Sequence, residues 1–171
     1  MKGYVHIYTG NGKGKTTAAL GLAIRAAGAG LQVFLAQFIK GRQYSELNIL
    51  KKLADQITVE QYGLPQFING KPSVPDIENA RYGLERVKSS ILSGRFDMII
   101  IDEGNVAVTY GLISKQDLLD LIAMKPETLE LVITGRGALP EIIDKADLVT
   151  EMKAVKHYFN NGVDARIGIE K

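Results

Sequence analysis

The sequence predicts an α/β fold of three layers, a mostly parallel sheet with helices on both faces. Two observations carry this. Short apolar runs alternate along the chain with segments of helical periodicity, as strand–helix–strand units require. The runs Leu31–Ile39 and Phe96–Ile101 are apolar at nearly every position, as strands covered by helices on both sides are. Right-handed crossovers would then gather the loops after the strands along one edge of the sheet.

Taken in order, Val5–Tyr8 is a first strand that ends at a glycine-rich loop. Lys15–Ala29 places Ala, Leu and Ile at helical spacing and closes on Gly28 and Gly30. Leu31–Ile39 is a second strand, 40–44 a polar loop, and Ser45–Leu53 a helix with Ser45 as its cap. Ile57–Gln61 reads as a third strand. Tyr62–Pro75 holds Gly63, Pro65, Gly70, Pro72 and Pro75, the make-up of a long irregular loop of functional type. Asp76–Ser93 is helical, Phe96–Ile101 a strand ending in Asp102-Glu103, and Ser114–Met124 a helix. Strand Leu129–Thr134, short helix Pro140–Ala146 and strand Asp147–Met152 complete the alternation. The segment from Lys153 onward reads as a turn-rich structural tail. At 171 residues, with no linker or internal repeat, one domain over 1–171 is expected.

Composition removes several function classes. There is no cysteine, so disulfides, thiolate metal sites and thiol catalysis are excluded. A net charge of +2 with scattered basic residues argues against a nucleic-acid surface. The start, M-K-G-Y-V-H-I-Y, has no signal-peptide layout, and no apolar run approaches the roughly 20 residues that span a bilayer. A cytoplasmic protein away from membranes is the expectation.

The loop Thr9–Thr17 reads T-G-N-G-K-G-K-T-T. Lying after a strand and before a helix, it matches the second half of the phosphate-binding pattern G-x-x-x-x-G-K-[ST] and makes the fold P-loop NTPase-like (RecA-like). Backbone amides and the positive helix end cradle oxyanions there. Lys15 would neutralise phosphate charge, Thr16 would place its hydroxyl on Mg²⁺, and Lys13 adds a second cation. The first half departs from the pattern: Thr9 stands where Gly is usual, and Gly10 comes one residue late. Asp102 and Glu103, after an apolar strand, are the carboxylates that a phosphate loop pairs with through Mg²⁺. Arg136, in I-T-G-R-G at another strand end, is placed to approach phosphates. Q-F-I-K-G at Gln37–Gly41 reads as a strand end with a solvated lysine. His6 reads as structural, and so first does His157 in the tail, with a ligand contact as its alternative. No protein nucleophile or separate general base stands out. Two readings stay open on these residues: an ATPase or small-molecule kinase with Glu103 orienting the attacking group, or an enzyme that positions a substrate already strongly nucleophilic.

T-G-N-G-K-G-K-T-T, Q-F-I-K-G followed by Glu46, I-I-D-E, I-T-G-R-G, A-D-L-V-T-E-M and V-K-H-Y-F-N-N-G-V, in this order, resemble the P-loop ATP:corrinoid adenosyltransferases. The resemblance runs from about Gly3 to Glu170. It implies transfer of the 5′-deoxyadenosyl group of ATP to the cobalt(I) of a reduced corrinoid, with tripolyphosphate leaving whole, in adenosylcobalamin synthesis or salvage. It implies that Asn11, Gly12, Lys13, Gly14, Lys15, Thr16 and Thr17 hold the triphosphate, with Lys15 and Arg136 acting on the leaving charge. Thr16 and Glu103, with Asp102 beside it, would bind Mg²⁺ (or Mn²⁺), and Glu46 would lie near the sugar or base. Tyr62 and Phe67 would lie near the corrin. A homodimer and an external flavoprotein reductase are implied as partners. Four positions depart from the family pattern: Ser45 replaces a common Gly, Gly104-Asn105 follows the acidic pair, and Leu64 stands where an aromatic is expected. A P-loop ATPase, a kinase, or a nucleotide- or corrinoid-binding protein without turnover are the competing expectations.

Overall fold

The computed structural model describes residues 2–66, 68 and 70–171. Six strands form a sheet in which every pairing is parallel: β1 (Val5–Thr9), β2 (Val33–Phe38), β3 (Ile57–Tyr62), β4 (Met98–Asp102), β5 (Glu130–Thr134) and β6 (Leu148–Glu151). Their order is β3-β2-β4-β5-β1-β6. Strand β5 therefore separates the strand of the phosphate loop from the strand of the acidic pair. Registers such as Tyr8 beside Thr134, Ile101 beside Ile133 and Gln37 beside Asp102 bring four strand ends to a common edge.

The helices are α1 (Lys15–Gly28), α2 (Glu46–Leu50), α3 (Val74–Leu92), α4 (Gly104–Thr109), α5 (Lys115–Met124) and α6 (Pro140–Ile143). One face of the sheet packs against α1 and α2. There Ala19, Ala23 and Ala26 meet Val33, Leu35, Met98, Ile100 and Val132. Small side chains along one stripe of α1 let it lie close over the sheet. The other face carries the larger cluster, with Ile7, Phe34, Phe38, Ile99, Ile101, Leu131 and Ile133 under Leu84, Val87, Ile91, Leu118 and Leu121. All residues of β2 and β4 are buried, as the unbroken apolar runs required. Edge strand β6 is exposed along its length. No helix among the described residues is long and apolar enough to cross a membrane.

Every strand expected from sequence is present, and the differences in bounds have local causes. β2 begins at Val33 because the amides of Gly30 and Leu31 turn back to the carbonyls of Ala27 and Ala26, closing α1. It ends at Phe38 because Ile39 has φ 63°, a conformation that a β-branched residue adopts only when its surroundings impose it. Helix α3 starts at Val74, two residues earlier than expected. Ser73 Oγ accepts from the Asp76 amide and the Asp76 carboxylate accepts from the Ser73 amide at 2.8 Å, a reciprocal cap that leaves Pro75 in the tolerated first turn. Ser45 stands at the head of α2 without a side-chain cap. Helix α4 was not expected. Its six residues, G-N-V-A-V-T, are weak helix formers, and the packing of Ala107 and Leu112 into the core holds them.

Candidate active site at the carboxyl edge of the sheet

The phosphate loop bridges β1 and α1. The variant spacing at its start has a structural reason. Thr9 still belongs to β1, and its buried Oγ1 accepts the Ala138 amide at 3.2 Å, tying the strand end to the turn after β5. A glycine at this position would lose that bond. The chain leaves the strand one residue later, at Gly10. Gly14 caps α1 with φ 120°, where an L side chain is strained. The amides of Lys15, Thr16 and Thr17 open the helix, so they have no carbonyl one turn back to bond. Amides in this position are available to an oxyanion. Asn11 and Thr17 are exposed. Gly12 is buried, and its amide donates to Met152 O at 2.6 Å.

Both loop lysines are held by the protein's own acceptors. Lys15 is 7% exposed, and its Nζ donates to Gly10 O at 2.8 Å and Gly12 O at 2.7 Å. Burial, then the nearby Arg136 charge, pull its pKa below the usual lysine value. Lys13 Nζ lies 2.6 Å from Glu170 and donates to the Tyr158 hydroxyl at 3.0 Å. Arg136 is exposed and has no hydrogen bond or ion pair among the described residues. It sits on the turn whose Gly135 amide donates to Tyr8 O.

Asp102 is the centre of the acidic side. Wholly buried, it accepts from Thr16 Oγ1 at 2.8 Å, Thr134 Oγ1 at 2.7 Å, Gln37 Nε2 at 3.3 Å and Lys40 Nζ at 2.7 Å. The sequence leads us to expect Thr16 and the acidic pair on a shared Mg²⁺; in this structure Thr16 bonds Asp102 directly. Glu103 adopts φ 60° and anchors its amide to Thr134 Oγ1, while its carboxylate has no hydrogen-bond or ion-pair partner among the described residues. Burial, with the Asp102 charge, raises the Glu103 pKa; Lys40, Lys15 and Arg136 pull the other way. Thr16, Asp102 and Glu103 therefore offer a hydroxyl and two carboxylates of the hard-oxygen type that suits Mg²⁺. No group of three or more His, Cys, Asp or Glu gathers among the described residues. A cation here would draw its remaining ligands from phosphate and water, as Mg²⁺ commonly does.

Lys40 corrects the sequence reading. It is not a solvated lysine at a strand end. Its side chain is 13% exposed, pinned between Asp102 and, at 3.9 Å, Glu46, with the Tyr44 ring 5.2 Å away. Burial alone would lower its pKa, but the charge and hydrogen bond of Asp102 raise it. Glu46 is thereby brought to the same edge as the loop. Gln37 and Gln61 extend the network, with Gln61 Nε2 donating to Gln37 Oε1 at 3.1 Å. Tyr62 does not line an open surface: it is 2% exposed, packs between Phe38 and Tyr82, and donates to Glu60 at 2.6 Å. A corrin contact there would require this segment to move. Phe67 lies outside the described residues. His6 pairs with Glu130 at 2.5 Å, and His157 accepts the Phe159 amide. Both histidines are therefore engaged within the protein.

The tail was read as structural, and the sequence reading missed that it reaches the loop. A 3₁₀ turn at Tyr158–Asn161 reverses it, and Glu170 collects Lys13, Tyr158 and Arg166. The residue-level signal was the opposite charge of Lys13 and Glu170, 157 positions apart.

Comparison with known proteins places nearly the whole chain in one family. The family model for the ATP:corrinoid adenosyltransferase BtuR/CobO/CobP matches residues 1–170. The chain is 35% identical over 170 residues to the corrinoid adenosyltransferase of Escherichia coli K12, covering 99% of this chain and 86% of that protein. It is 34% identical to corrinoid adenosyltransferase CobA of Salmonella typhimurium with the same coverage. Against the corrinoid adenosyltransferase of Pseudomonas aeruginosa it is 32% identical, covering 99% of this chain and 84% of that one. The chain belongs to the ATP:corrinoid adenosyltransferase family.

Proposed function

We propose that this site transfers the 5′-deoxyadenosyl group of ATP to the cobalt(I) of a reduced corrinoid, with tripolyphosphate as the leaving group. The observation that carries the reading is the union of a phosphate loop bearing two lysines with Thr16 bonded to a buried strand-end carboxylate. Cobalt(I) attacks C5′, the C5′–O bond breaks, and its electron pair stays on the triphosphate. Because the nucleophile carries no proton, the chemistry needs no general base.

The chain's own groups then have two tasks. Asn11 to Thr17 orient the triphosphate, and Lys13, Lys15 and Arg136 offset the charge that grows on it as C5′ departs. Lys15 would turn from the Gly10 and Gly12 carbonyls to phosphate. Thr16, Asp102 and Glu103 would hold a divalent cation, Mg²⁺ or Mn²⁺, which supplies further neutralisation of the triphosphate when bound. Glu46, tethered through Lys40, would bound the sugar or base. Tyr62 and Phe67 would serve the corrin if the β3–α3 connection rearranges. As in the family it resembles, the enzyme would work in the cytoplasm as a homodimer, with a flavoprotein reductase delivering the electron to cobalt.

The test is product identity. Incubation with ATP, Mg²⁺ and chemically reduced corrinoid without oxygen should yield a light-sensitive cobalt–carbon product and stoichiometric tripolyphosphate. Release of ADP and phosphate instead would assign the site to a kinase or ATPase.

A further inference from the structure

The residues that close the loop come from the far end of the chain. After β6 the chain leaves the sheet edge, turns at Tyr158–Asn161 and returns across the loop. Its carboxylate Glu170, with a side chain 18% exposed, accepts from Lys13 Nζ at 2.6 Å, from the Tyr158 hydroxyl, from the Arg166 amide at 2.9 Å and from the Arg166 guanidinium at 3.3 Å. One residue on, the Lys171 carbonyl accepts from Ser45 Oγ at 3.0 Å. The tail thus runs from the β6 edge over the loop to the head of α2.

An anion fixed on a loop lysine bears on how the reaction ends. Cleavage at C5′ leaves on the triphosphate oxygen a charge that the ester did not have. The product is therefore held by the same cations more strongly than the substrate phosphates, and its release becomes a candidate slow step. We propose that Glu170 is a latch for Lys13: it yields the lysine to the triphosphate on binding and reclaims it afterwards, so that tripolyphosphate is released. The proposal rests on the reading of the loop as a triphosphate site. Glu170 acts through Lys13 and is a positioning residue. Tyr158 and Arg166 hold its carboxylate in place while the lysine is away, so the competing anion stays close.

The test titrates inorganic tripolyphosphate calorimetrically into the wild type, Glu170→Gln, Glu170→Asp, Lys13→Met and the double variant. It also measures inhibition against ATP in the adenosylation assay. In Glu170→Gln, tripolyphosphate should bind and inhibit roughly two- to fivefold more tightly, the scale of a partly exposed ion pair. Glu170→Asp should return toward wild type. In the Lys13→Met background, Glu170→Gln should change nothing. Unchanged or weaker tripolyphosphate binding in Glu170→Gln, with an unaltered melting temperature, overturns the latch. So does an equal tightening when Lys13 is absent. A wild type that binds neither ATP nor tripolyphosphate sinks the triphosphate reading itself, a result distinct from either.

Discussion

At the level of single side chains, the site divides into groups that meet phosphate and groups that hold them. Lys15 is the first kind. Its burial and its two carbonyl partners keep it poised without an acid beside it, so Lys15→Ala should raise the ATP KM and lower kcat together. A loss of about 10²-fold in kcat/KM is expected for one preorganised charge on a leaving group, and unchanged kinetics would remove it from the site. Glu103 is a different case, because its raised pKa comes first from burial. A carboxylate whose folded pKa lies above its unfolded one takes up protons on folding. Its ionisation therefore costs stability as pH rises through the folded value, and costs nothing below the ordinary carboxylate range. Glu103→Gln should accordingly raise the melting temperature of the ligand-free protein at neutral pH, by roughly 2–4 °C per kcal/mol relieved, while impairing turnover. The gain should shrink as the pH is lowered toward 4. A gain that persists at low pH would separate it from this charge. The sequence made Lys15, Thr16 and the acidic pair legible, because strand–loop–helix motifs are local. Lys40 was not legible: its partner Asp102 lies 62 positions away, and only the β2–β4 register brings Gln37 beside Asp102.

Whole elements were read well where their signals were contiguous. The apolar runs of β2 and β4 identified buried parallel strands, and both long helices of the α3–α5 face carry reciprocal Ser/Asp caps. The α3 cap also explains why that helix starts at Val74 and not after Pro75. Removing the side-chain acceptor with Ser73→Ala should cost about 1 kcal/mol, seen as a lower denaturation midpoint with an unchanged slope in urea. No change would mean that Pro75 and packing alone set the start. Short α4 escaped the sequence reading because Gly104 and the β-branched Val106, Val108 and Thr109 give it little intrinsic preference. Its position is set by Glu103 in the left-handed region and by the core contacts of Ala107. The same irregularity turns the chain directly after the buried acid, so element boundary and site geometry share one cause.

Across the molecule, the parallel order β3-β2-β4-β5-β1-β6 puts the phosphate loop, Lys40, Asp102, Glu103 and Arg136 on one edge, while the tail adds Glu170 from outside the sheet. Neither apolar core contains a residue beyond Ala146, and Val155, Phe159 and Ile167 are strongly exposed. The tail therefore contributes little to what holds the sheet together, and the side-chain bonds it makes outside itself go to the loop and to Ser45. Truncation after Asp164 should then separate folding from function. It removes Arg166, Glu170 and Lys171 but leaves β6 and its backbone bonds to β1 intact. The melting temperature should fall by no more than a few degrees, since only exposed ion pairs and partly buried contacts are lost. The nucleotide dependence should change, with Lys13 free of its carboxylate and ATP and tripolyphosphate both bound differently from the full chain. A large drop in melting temperature would instead make the tail part of the fold. An unaltered nucleotide dependence would leave Lys13 without the electrostatic tie to the chain's far end that its contact with Glu170 implies.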